Sequence, residues 1–69
     1  MEDLISIRVN GESREIGAGS VLFDAIERCD VKEPFAVAVN RVLVTKAHYR
    51  DYKLSNGDSI DIVYPMQGG

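Results

Sequence analysis

The sequence predicts an α+β domain in which one helix covers one face of a mixed β-sheet. Three patterns carry that reading: apolar and polar residues alternate from Leu4 to Asn10 and again from Ser59 to Tyr64, one helical stripe runs from Leu22 to Cys29, and Phe35 to Val39 is continuously apolar. Alternation with a period of two belongs to strands half-buried in a sheet, and spacing of i, i+3, i+4 and i+7 belongs to a helix that covers one.

In the first strand Ile5, Ile7 and Val9 face one way while Ser6 and Arg8 face the other. Asn10-Gly11 follows, a dipeptide that tolerates the positive φ of a tight hairpin turn, so Ser13 to Ile16 is expected to return antiparallel. Gly17-Ala18-Gly19 breaks the pattern, and Ser20 is the expected cap of a helix beginning at Val21. Leu22, Ala25, Ile26 and Cys29 form its apolar stripe; Asp24, Glu27 and Arg28 point away from it.

Phe35 to Val39 is the expected middle strand, since an unbroken apolar run suits a strand covered along much of its length. Asn40-Arg41 then turns the chain into Val42-Leu43-Val44, short enough for an edge strand. Thr45 to Leu54 has no clean period and reads as a loop with one helical turn. After the turn Asn56-Gly57-Asp58, the last strand places Ile60, Ile62 and Tyr64 on one side. This succession, four to five strands with one main helix, is the plan of a β-grasp, or ubiquitin-like, domain over residues 1–64. Residues 65–69 are left as a C-terminal tail.

Bulk properties narrow the function. A chain of 69 residues has room for one domain, and such a domain buries only about 60% of its unfolded surface. With 45% hydrophobic and 28% charged residues it is too apolar to stay disordered. No apolar run approaches the roughly 20 residues of a membrane span, and the acidic start Met1-Glu2-Asp3 does not resemble a secretory leader, so the expected location is the cytoplasm. A net charge of −3 argues against nucleic acid as a partner. The charge is uneven: residues 1–40 hold eight acids and four bases, whereas residues 41–53 hold four bases and one acid, Asp51.

A search for catalytic chemistry returns little. One Cys and one His do not make a metal centre within a single chain. His48 lies among exposed charges with no nucleophile close in sequence, and Cys29 falls on the apolar stripe, where it packs as a small hydrophobe. Gly17-Ala18-Gly19-Ser20 lacks the Lys and further glycines of a phosphate loop. The tail is different. Pro65 has no amide hydrogen and ends the strand ladder, so Met66, Gln67, Gly68 and Gly69 are expected to project. Five extended residues reach about 16–18 Å, enough to thread a terminal carboxylate into another protein's active site. Glycines allow the backbone through a narrow channel. No side chain here is catalytic; Gly69, with its carboxylate, is the expected reactive position and the chain is not expected to be an enzyme.

Asn10, Gly17 to Val21, Ala38-Val39-Asn40, Val44 followed by a charged loop with Tyr49, Asn56-Gly57-Asp58 and Gly68-Gly69 together resemble the ThiS/MoaD family of ubiquitin-like sulfur carriers, and within it the ThiS carriers of thiamine biosynthesis. The resemblance spans essentially the whole chain. It departs at Pro65-Met66-Gln67, where family tails often carry small apolar residues, and at Asn56, where the turn often begins with Asp. The resemblance implies that a ThiF-like adenylyltransferase uses ATP with Mg to convert the Gly69 carboxylate to an acyl-adenylate. A cysteine desulfurase system then supplies sulfur, and the resulting thiocarboxylate passes to a ThiG-like thiazole synthase. Related carriers serve molybdopterin, amino acid or siderophore-type products, and a TGS-like binding module from larger RNA-handling proteins is the competing reading. The chain is expected to be a monomer when free. Val42 and Val63 are the candidate docking residues on the uncovered face of the sheet, with ordinary strand packing as their other reading.

Overall fold

The computed structural model describes residues 3–64. Strand β1 (Leu4–Val9) pairs with β2 (Glu12–Gly17) through a two-residue turn, Val9 lying opposite Glu12. Asn10 and Gly11 take φ of 51° and 86°, the mirror-image turn whose twist matches that of paired strands. Helix α1 (Leu22–Arg28) follows, then β3 (Ala36–Val39) and β4 (Val42–Val44), joined by a second two-residue turn at Asn40-Arg41. A 3₁₀ turn (Lys46–His48) leads to β5 (Ser59–Val63). The sheet order is β2-β1-β5-β3-β4.

The middle strand is therefore β5, parallel to β1 on one side and antiparallel to β3 on the other. The expectation that Phe35 to Val39 holds the middle is corrected, and the reason lies in two alanines. Val37 and Val39 point into the core with no exposure, while Ala36 and Ala38 occupy the open face and remain partly exposed. Small apolar residues on an uncovered face make an unbroken run without burial on both sides. Phe35 lies just outside the strand, and Tyr64, expected beside Ile60 and Ile62, lies beyond the end of β5 and is exposed.

Ser20 does not cap α1; Val21 holds that position, and its amide donates to the Asp24 carboxylate at 3.0 Å. The next free amides are satisfied from far away. Leu22 N donates to the carbonyl of Tyr52 at 2.7 Å and Phe23 N to that of Tyr49 at 2.9 Å, while Leu54 N returns a bond to the Ser20 carbonyl. The first turn of a helix leaves such donors without internal partners, and here the loop 45–54 supplies them. Two helical turns are stable in this setting although an isolated helix of that length is not.

The core lies between α1, the inner sheet face and this loop. Leu22, Val37, Val39 and Ile60 are fully enclosed, and Ile7, Val9, Ile16, Ala25, Ile26 and Ile62 surround them. Tyr49 and Leu54 are buried with them, and the Tyr49 ring stacks on Phe35 with centroids 6.3 Å apart. Cys29 packs at the margin of this cluster, half-buried.

Candidate functional site

Strand β5 is the last described element before residues 65–69, so its setting fixes where the described chain ends. Two asparagines hold it from opposite sides. On the β1 side, Arg8 N and Asn10 N donate to the carbonyls of Asp58 and Ile60, both at 2.9 Å. The next bond in that parallel ladder is Ile62 N to the side-chain oxygen of Asn10 at 2.8 Å, because the main chain has already turned into the hairpin. On the β3 side, Asn40 repeats the device: its amide donates to the Ser59 carbonyl, and its side-chain oxygen accepts from Ser59 N at 3.0 Å. Each asparagine opens a tight turn at positive φ and replaces a main-chain acceptor with its side chain.

The turn before β5 is fixed by the same means. The Asp58 carboxylate accepts from Ser55 N at 2.8 Å and from the Asn40 side-chain amide at 3.0 Å. Asn56 accepts from Ser6 N through its side chain, and Gly57, at φ 91°, donates to the Ser6 carbonyl. Asn at position 56 thus meets the geometric demand of the turn.

Residues opposite one another in paired strands share a face. Val63 lies opposite Ala36, and Leu43 opposite Ala38, so these four share the uncovered face with Asp61. Val63 and Leu43 are 56% and 68% exposed. Val42 lies opposite Val39, in the register row of Ile60, and belongs to the helix side. It is 66% exposed because it stands at the sheet margin. The two valines therefore do not share a face, and placing Val42 on the uncovered one is corrected. Leu43 was missed; counting the alternation outward from Val44, which is buried, would have found it.

Met66, Gln67, Gly68 and Gly69 lie outside the described residues. His48 is exposed on the 3₁₀ turn. Among the described residues no three His, Cys, Asp or Glu side chains gather as metal ligands, and no helix is long and apolar enough to cross a membrane. The clearest electrostatic contact is Lys46 Nζ to Glu33 Oε2 at 2.6 Å, both side chains largely in solvent, and it raises the lysine pKa by its hydrogen bond and then by its charge. Burial raises the Tyr49 phenol.

The model of the ThiS family matches residues 7–69, almost the full chain and including Gly68 and Gly69. This chain belongs to the ThiS family. Among solved structures it is similar to a thiamine biosynthesis protein (ThiS) from Geobacter metallireducens, at a TM-score of 0.81 and 17% identity, covering 94% of this chain and 100% of that one. At that identity the likeness is one of fold, and it establishes the β-grasp architecture for this ThiS-family chain. No curated protein matches the sequence.

Proposed function

We propose that this chain is a sulfur carrier in thiamine biosynthesis, loaded at the carboxylate of Gly69. The observation that carries the reading is the family match, which continues past the folded strands through Gly68-Gly69. A carboxylate is a poor electrophile until its oxygen becomes part of a good leaving group. A ThiF-like adenylyltransferase supplies that: a Gly69 carboxylate oxygen attacks the α-phosphorus of MgATP, forming the acyl-adenylate and releasing pyrophosphate. The terminal sulfur of a persulfide, supplied through a cysteine desulfurase, then attacks the acyl carbon and AMP leaves. A thiol cleaves the resulting disulfide bond reductively, leaving the thiocarboxylate, which donates its sulfur to a ThiG-like thiazole synthase.

In this scheme the chain contributes presentation. The Asn10 and Asn40 clamps fix the strand that leads to the tail, and residues 65–69 provide reach of about 16–18 Å when extended. Leu43 and Val63, with Ala36 and Ala38 between them, form the apolar strip on which we place partner docking, since an uncovered apolar face suits contact with another protein. The test is ATP–pyrophosphate exchange catalysed by a ThiF-like enzyme. Exchange should depend on this chain and vanish when Gly69 is deleted, with the melting temperature unchanged; exchange that survives the deletion places the reactive group elsewhere.

A further inference from the structure

A groove of about 250 Å³ opens on the helix side of the sheet, away from the apolar strip. Its walls include Phe23, Val31, Phe35 and Tyr49, and Glu27 and Asp30 stand on its rim. Phe23, Val31 and Phe35 are half-buried and pack on the core without being covered. Two further charged groups reach it, Glu33 and Lys46, and these neutralise each other at 2.6 Å. Glu27 and Asp30 are not ion-paired within the described residues, so the rim carries an excess of negative charge. Arg50, whose guanidinium lies 4.2 Å from the centre of the Phe23 ring, stands against a groove wall and offsets part of that charge, leaving a smaller negative excess.

Position gives the groove its meaning. Ala36 lies opposite Val63, so Phe35 enters the sheet at the end where β5 leaves it, and Tyr64 is the last described residue before the tail. An enzyme that draws Gly69 into its active site must come within the reach of residues 65–69 from this end of the domain, about 16–18 Å when extended.

We propose that the groove is a docking point for the tail-activating enzyme, occupied by an enzyme segment that carries an arginine or lysine beside an aliphatic side chain. The aliphatic group covers Phe35 and Val31, and the cation meets Glu27 and Asp30. The inference rests on the carrier reading above and adds to it a second contact, on the opposite face from the Leu43–Val63 strip.

The experiment is an NMR titration of the full ¹⁵N-labelled chain with the ThiF-like enzyme without ATP, beside adenylation kinetics. The amides of Asp30, Val31 and Phe35 should shift together with that of Val63. The double variant Glu27→Lys/Asp30→Asn keeps a residue tolerant of the positive φ at position 30. It should raise KM about tenfold at low salt, with kcat little changed and the gap narrowing as salt rises. Glu12→Lys, at the hairpin tip on the far edge strand, is the control and should leave KM unchanged. Normal adenylation of the wild type with an unchanged KM for the double variant, and shifts confined to the open face, overturns the groove and leaves the carrier reading intact. Groove shifts that appear on removing residues 65–69, or on concentrating the chain alone, assign it to the tail or to a second copy and likewise overturn the proposal. A wild type that is never adenylated removes both readings.

Discussion

The side-chain oxygen of Asn10 accepts the amide hydrogen of Ile62 at 2.8 Å, joining the first hairpin turn to the last residues of the central strand across 52 positions of sequence. The bond extends the β1–β5 ladder beyond the point where β1 itself turns away. Replacing Asn10 by Gly keeps the positive φ and removes the acceptor, and comparing two amides of the same variant separates this bond from the unfolded-chain entropy that glycine adds. A partly buried donor left unsatisfied costs about 1–3 kcal/mol. Native-state hydrogen exchange of the variant should show Ile62 losing more protection than Ile60; equal losses would mean that the bond does not hold the strand end.

Asn40 and Asp58 are coupled directly at 3.0 Å, and each also holds a main-chain amide beside β5. Asn40→Gly, which keeps the positive φ, and Asp58→Ala should each cost about 1–2 kcal/mol by urea denaturation, near the usual net value of a hydrogen bond or a little above. The double variant should cost less than the sum, by at least about 0.5 kcal/mol, because groups in one network do not act independently. Strict additivity would separate the two turns energetically.

Arg41 holds φ at 71° in the second hairpin turn, a conformation that costs a residue with a Cβ about 1–2 kcal/mol. Glycine removes that strain and returns about 0.5–1 kcal/mol as extra entropy of the unfolded chain. Arg41→Gly should therefore raise stability by up to about 1.5 kcal/mol, read as a higher denaturation midpoint at constant m-value. A lower midpoint would mean that the Arg41 side chain makes a stabilising contact.

Stability should fall at alkaline pH. Burial raises the Tyr49 phenol above its ordinary 10.0, and the hydrogen bond and charge of Glu33 raise Lys46 above 10.5. Both groups hold their protons more tightly folded than unfolded, so the stability they confer is complete below about pH 10 and is lost as pH rises through the raised values. The lysine contributes little because its pair is exposed to solvent. Tyr49→Phe should remove most of the loss in melting temperature above pH 10; an unchanged slope would assign it to other groups.

Element order was legible because it depends on local pattern. Asn10-Gly11 and Asn40-Arg41 marked both hairpins, and the alternation of Ile60 and Ile62 marked the last strand. Whatever depended on distant partners was not. The helix amides of Leu22 and Phe23 find the carbonyls of Tyr52 and Tyr49, some 30 and 26 residues away, so Ser20 looked like the cap. The same contacts bury Tyr49 within a loop of charged residues. Ala36 and Ala38 made β3 read as the central strand, and the true centre, β5, followed only from its pairing on both sides. The face of Val42 needed the register with Val39. For the site itself the sequence pointed to Gly68-Gly69 and the family match covers them, while the asparagine clamps that set their point of departure emerged from the fold.

The proposed function requires sulfur to be carried at the carboxylate of Gly69. Its most direct test is the intact mass of the chain after incubation with a ThiF-like enzyme, MgATP and a persulfide donor, followed by fragmentation. Loading at Gly69 should give a gain equal to the exchange of one oxygen for one sulfur, confined to the fragment that contains Gly69 and absent when ATP is withheld. A gain of one whole sulfur on Cys29, as a persulfide with Gly69 unchanged, or no gain with an enzyme that adenylates its own carrier, would contradict it.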